Sequence, residues 1–288
     1  MPAQPLAEVF GFPAENLSEE AQRYRRLRLC PFNNKVPNCT KDKAQDPLGV
    51  CSVHDSSGLA ITCPVRFRQD WLIAEDAAEF FFPTGTRWTS LTEVRLTDAT
   101  GQSAGNIDVV LVAYDEAGQI TDFGALEVQA VYISGNVRRP FEAYMRDPTE
   151  FLSHLPSARD APRADYLSSS RKRLAPQLIY KGGILHEWCK RSAVALHTAF
   201  FNTLPPLPEV PAEEAEMAWF LYDVQDDGAQ HRLRRARTVY TAFDDALLAI
   251  TRSTAGPMPD FVQKLQGKLD EKLNSAPIAP TIAGELEL

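Results

Sequence analysis

Apolar positions in the middle of the chain fall into two short runs separated by a polar turn. The first, Val109-Val110-Leu111-Val112-Ala113, is rich in β-branched residues; the second extends from Phe123 to Ile133. Asp115-Glu116-Ala117-Gly118 between them is a turn-forming cluster, so the segment predicts a β-hairpin. A turn at about Ala117 pairs residues whose numbers sum to roughly 235, which sets Asp108 opposite Glu127 with Cβ atoms ~5 Å apart. Glu127 and Gln129 are two residues apart and share one face. Leu91-Thr92-Glu93-Val94-Arg95-Leu96 alternates as a half-buried strand does, and it carries Glu93 ahead of the hairpin. Two carboxylates at the edge of a buried sheet repel each other, so a cation is the missing partner.

The pattern elsewhere is simpler. Asn16 or Ser18 caps a helix reaching about Leu29, with Glu19 and Glu20 suited to its N-terminal dipole. Residues 66–90 are apolar and aromatic, with a helix near Ala74–Phe81, and a short helix follows Pro140. Residues 156–175 read as a Ser-, Arg- and Pro-rich loop. A long helix is expected from Gly183 to Leu204, its stripe built from Ile184, Leu185, Trp188, Val194, Leu196 and Phe200. Residues 205–216 form a Pro- and Glu-rich linker. Met217–Val224 and Arg232–Tyr240 read as strands about the turn Asp226-Asp227-Gly228, before helices over Asp244–Thr251 and Pro259–Asn274. Residues 1–17 look loose, and 276–288 disordered.

Charge adds a candidate partner. The 288 residues carry a net charge of −8, yet residues 23–43 hold seven basic and one acidic side chain, and residues 159–191 eight basic and three acidic. Arg25 and Arg28, then Arg171, Lys172 and Arg173, then Lys181, Lys190 and Arg191 are candidates for contact with nucleic-acid phosphates, although each run also suits a solvated surface. His186, His197 and Cys189 read as structural. No run approaches the 18 or more apolar residues of a membrane span, and the first 20 residues lack the features of a signal peptide. A cytoplasmic protein in a reducing compartment is expected.

Four of the five cysteines, Cys30, Cys39, Cys51 and Cys63, cluster in a turn-rich stretch with 8, 11 and 11 residues between them. Disulfides are unfavourable in a reducing compartment. Four thiolates on short loops can instead close a tetrahedral site for zinc or iron. Four unrelated cysteines, some packed as small hydrophobes, are the plainer alternative. His54 is a candidate substitute ligand.

Glu93, Asp108 and Glu127-Val128-Gln129 together resemble the active site of the PD-(D/E)XK nucleases, where an Asp begins one strand of a hairpin and an acid-x-Lys lies on the next. Phe123–Gln129, the cysteine region opened by Cys30-Pro31-Phe32, the segment from Lys190-Arg191 into Ala193–Leu196, and the helix Asp244–Ala249 are similar to NotI-like type II restriction endonucleases. The resemblance spans roughly residues 23–255. It implies an α/β (α+β) fold, a mixed β-sheet flanked by helices. A loose N-terminus (1–17) and a basic helix with a four-cysteine metal-binding module (18–70) would precede a nuclease core with DNA-recognition elements (71–255), followed by a helix and tail (256–288).

The resemblance also assigns roles. Asp108 and Glu127 would hold Mg2+, Glu93 would assist, and Cys30, Cys39, Cys51 and Cys63 would hold one structural Fe or Zn ion. Gln129 stands where most of the superfamily has Lys; its amide does not titrate, so it would orient the attacking water. The expected protein is a homodimeric site-specific endodeoxyribonuclease that cuts both strands of a short G·C-rich palindrome, leaving 5′-phosphates, with a cognate methyltransferase as its functional partner. Two other readings fit: a non-catalytic DNA-binding protein whose acid pair is structural, and a defence or repair nuclease without a palindromic site.

Overall fold

The computed structural model describes residues 4–274 except 34, 44, 56–57 and 154–161. The chain divides into two units, Met1–Ile250 and Thr251–Leu288. Within the second, the helix Met258–Asn274 is the described regular element; the expected disorder of 276–288 lies outside the described residues.

The first unit is built on a six-stranded sheet. Strands β1 (Trp88–Thr97), β2 (Ser103–Tyr114), β3 (Ile120–Gln129), β4 (Ser192–His197), β5 (Met217–Asp226) and β6 (His231–Thr241) lie side by side in chain order. β4 runs parallel to both neighbours and the other pairings are antiparallel. A parallel connection needs a crossover. The path from β3 to β4 includes a helix over residues 166–187, in which α-helical and π-helical turns alternate.

Helices cover both faces. On one, the helix Leu72–Phe81 packs Ile73, Ala77, Phe80 and Phe81 against Leu111, Leu126, Ala195 and Phe220. Gly124 permits this approach, since a Cβ there would lie 2.4 Å from the Phe81 ring. On the other face, Leu174 and Leu178 of the crossover helix and Phe243 of the helix Phe243–Thr251 pack on Val194, Leu196, Trp219 and Leu221. The expected mixed sheet flanked by helices is present.

The helix expected over Gly183–Leu204 is a correction. The helix stops at Glu187, β4 occupies Ser192–His197, and only Thr198–Phe201 returns to helix. All six residues of β4 are buried, and a short run covered on both faces lacks the alternation that separates a strand from a buried helix. A second correction concerns the stretch expected to be loose: residues 6–13 are ordered into strands. Leu6–Val9 pairs with Phe12–Pro13 and with Val50–Asp55, which pairs in turn with Gly58–Ile61. Leu6, Val9 and Phe10 are buried. Between these strands the helix Glu19–Leu27 forms as expected, with Ser18 Oγ accepting from the Ala21 N–H at 3.3 Å.

A buried ion pair joins the N-terminal sheet to the helical segment Pro64–Trp71. Arg66 Nε lies 3.0 Å from Glu8 Oε1, with both side chains 0% exposed. Ser52 Oγ donates to Glu8 Oε2 at 2.7 Å, and Arg66 Nη2 donates to the His231 carbonyl of β6 at 2.9 Å. Arg66 Nη1 donates to Gln69 Oε1, which also accepts from the Leu233 N–H.

Candidate active site

The central hairpin has the register that its pattern predicts. Its pairs run from Val112↔Phe123 to Val109↔Leu126, each summing to 235. The ladder ends there, and Asp108 and Glu127 are the next residues of the two strands. Asp108 Oδ2 accepts from the Val128 N–H at 2.8 Å, which ties the two strands together at that point. The turn sets this register locally: Asp115 Oδ1 accepts from the N–H groups of Ala117 and Gln119.

Glu127 is 8% exposed and Gln129 2%. Lys181 Nζ, itself on a 5% exposed residue, lies 2.6 Å from Glu127 Oε2. Gln177 Nε2 donates to the same oxygen at 3.1 Å. Glu127 Oε1 is buried and, among the described residues, has no hydrogen-bond partner. Burial, and then the Asp108 charge, push the Glu127 carboxyl up to about 8 against the pull of Lys181. The centre thus holds acid in excess of base, with one carboxylate oxygen lacking a donor. Gln129 Nε2 donates to the Ala130 carbonyl at 2.9 Å, which fixes its amide.

Glu93 is not brought into this group. It occupies the position across from Asp108, between Thr92↔Val109 and Val94↔Ile107. Its φ of +58° is left-handed, a strained conformation for a residue with a Cβ. Its carboxylate is 51% exposed, and Arg68 Nη2 lies 4.0 Å from it.

The basic candidates separate into three groups. Arg25 is a correction: it is 4% exposed, and its guanidinium donates to the carbonyls of Asn16 and Pro13 and lies over the Tyr144 ring. Helical periodicity turned it inward, where it satisfies loop carbonyls. Arg191 is half-buried, donating to the Phe80 carbonyl; Lys190 pairs with Asp122, Arg28 with Asp46, and Lys181 with Glu127. Arg171, Lys172 and Arg173 are exposed on the crossover helix, and Arg173 stacks on Tyr132. If the latter three meet DNA, Arg171→Ala combined with Lys172→Ala weakens binding evenly across sequences and flattens the slope of log affinity against log salt by about 2. An unchanged slope in a fluorescence titration would exclude this surface.

Cys30, Cys39, Cys51 and Cys63 line one small cavity with Phe10, Phe32, Leu48 and Val50. Burial pushes the Cys30 thiol up to about 12 and raises those of Cys39 and Cys51. Among the described residues, however, no three or more His, Cys, Asp or Glu side chains are arranged to hold a metal ion. The four thiols expected to close a metal site thus converge on one apolar cavity, without an arrangement among the described residues that encloses an ion. The donor chemistry suits a thiophilic ion; the side-chain arrangement does not enclose one.

The basic run of the sequence places Lys181 among candidate DNA contacts, and Gln177 carries no charge to mark it. Their i,i+4 spacing, which puts both on one helix face, was the available signal.

Fold and site together define a mixed α/β protein with a buried acidic centre at the carboxyl end of a central strand. The family model for restriction endonuclease NotI matches residues 15–234, and the chain belongs to that family. At the level of the family it is a restriction endonuclease, a nuclease that binds DNA. The matched span includes the four clustered cysteines, Asp108, Glu127, Gln129 and Lys181. No curated protein matches the chain significantly. Among the described residues no helix is long and apolar enough to cross a membrane.

Proposed function

We propose that this protein is a type II enzyme of the PD-(D/E)XK class that hydrolyses both strands of a short palindromic duplex, leaving 5′-phosphate ends. The observation that carries the reading is the acid pair Asp108 and Glu127 at the end of the hairpin ladder, where the Asp108 charge acts on Glu127, with the buried, donorless Oε1 of Glu127 beside it. These two carboxylates would hold Mg2+, which when bound polarises the scissile phosphate and acidifies water. Gln129 cannot take a proton. With its amide nitrogen held on the Ala130 carbonyl, its amide oxygen is left to orient the attacking water. Equal half-sites need equal readers, so the working form is a homodimer. Arg-rich surfaces suit a G·C-rich site, since Arg reads guanine bidentately. A cognate methyltransferase would protect the host's own sites, and the enzyme would work at the nucleoid.

The test is digestion of supercoiled plasmid and phage DNA with Mg2+, followed by sequencing of the ends. Discrete fragments with 5′-phosphates and a twofold-symmetric site support the proposal; no cleavage of any DNA removes it. One observation favours a second reading: the Lys181 ammonium partly neutralises Glu127, as it would in a non-catalytic DNA-binding protein with a structural acid pair. Cleavage without discrete fragments points instead to a defence or repair nuclease.

The convergence of Cys30, Cys39, Cys51 and Cys63 supports a structural iron or zinc ion there. Cys39→Ser should then lower the metal-to-protein ratio and the Tm. A ratio unchanged by elemental analysis excludes Cys39 as a ligand.

A further inference from the structure

We propose that Lys181 is a positioning residue of the nuclease site, supplying from the crossover helix the positive charge that position 129 lacks; the inference rests on the nuclease reading above. Gln129 leaves β3 without an ammonium beside Glu127. Lys181 Nζ fills that role from another element, 2.6 Å from Glu127 Oε2 and 2.8 Å from the Asn106 carbonyl, two residues before Asp108. It therefore touches both strands that carry the acid pair. Gln177, one turn earlier, holds the same carboxylate oxygen. The oxygen held by Lys181 and Gln177 is Oε2, which turns the donorless Oε1 into a fixed position.

The local chain is built for this reach. Lys181 lies in the π-helical segment Leu178–Gly182, and such segments often accompany functional sites. The next residue, Gly182, lets the Phe243 ring approach: a Cβ there would lie 2.7 Å from it. On the sheet side the Lys181 stem runs past Gly105, where a Cβ would sit 3.8 Å from Lys181 Cδ. Stability alone does not account for the arrangement. Replacing a buried ion pair by apolar residues of similar volume is often neutral or stabilising, and the pocket beneath Glu127 is already lined by Leu174, Leu178, Leu185 and Val194. A lysine pinned there serves the carboxylate it holds.

The experiment uses the full-length protein and compares wild type, Lys181→Met, Lys181→Arg, and Lys181→Met combined with Gln129→Lys. Single-turnover cleavage at saturating Mg2+, DNA affinity in Ca2+, and Tm are measured for each. Lys181→Met should cut at least about 100-fold more slowly with DNA affinity within about threefold of wild type. Lys181→Arg should keep most of the rate. The double variant, which returns an ammonium from the strand, should recover at least about tenfold of the loss. Three results overturn the proposal. One is wild-type cleavage by Lys181→Met. Another is a loss that follows DNA affinity, which marks Lys181 as a phosphate contact. The third is a folded double variant as slow as Lys181→Met. If Lys181→Met does not fold, the double variant decides; its failure to fold as well makes Lys181 a purely structural partner and ends the proposal. Wild-type cleavage in the same assay reports separately on the nuclease reading.

Discussion

Asp108→Ala and Glu127→Ala should each reduce DNA cleavage by about a thousandfold or more while leaving DNA binding in Ca2+ within a few fold. The asymmetry follows from where the two acids stand. Asp108 and Glu127 lie at the end of a hairpin whose remaining ladder, Val109↔Leu126 onward, survives either truncation. The exposed basic groups of the crossover helix are on another element. Removal of Glu127 also strands the Lys181 ammonium, so that variant should lose more stability than Asp108→Ala. Rates measured at saturating Mg2+ test the pair directly. Wild-type cleavage by either variant would remove that residue from the chemistry, and a parallel loss of binding would make the acids part of the DNA surface.

Arg66→Ala should destabilise the protein by about 3–5 kcal/mol, which for a chain of this size lowers Tm by roughly 10 °C. The guanidinium stands against the Glu8 carboxylate with both fully buried, donates to Gln69 and the His231 carbonyl, and lies 4.3 Å over the Phe32 ring. Its removal leaves the buried Glu8 carboxyl, among the described residues, with Ser52 alone donating to it at hydrogen-bond distance and His231 Nδ1 at 3.7 Å. Phe32 also lines the cysteine cavity. The same variant should therefore make the thiols react faster with a chromogenic disulfide reagent. A Tm within about 2 °C of wild type, read by circular dichroism, would show that the network is not a structural joint.

The sequence by itself determined the hairpin and its register. Strand periodicity fixes faces, and a turn closed by the Asp115 side chain fixes pairing. Both are short-range effects, so the place of Asp108 and Glu127 at the end of the hairpin ladder and the shared face of Glu127 and Gln129 could be read before any fold was known. The Ser18 cap, the helix Leu72–Phe81 and the last two strands were legible for the same reason. Tertiary structure alone decided the rest. β4 is a strand because both its faces are covered, which no local period records. Arg25 is a core side chain because carbonyls of Pro13 and Asn16 happen to meet it. Glu93 faces Arg68 because its backbone leaves the regular strand conformation. Lys181 reaches Glu127 across 54 residues of chain, and only the docking of the crossover helix on the sheet brings them within a hydrogen bond. Long-range electrostatics depends on where whole elements pack, and burial of every apolar face together, not the pattern of one segment, settles that.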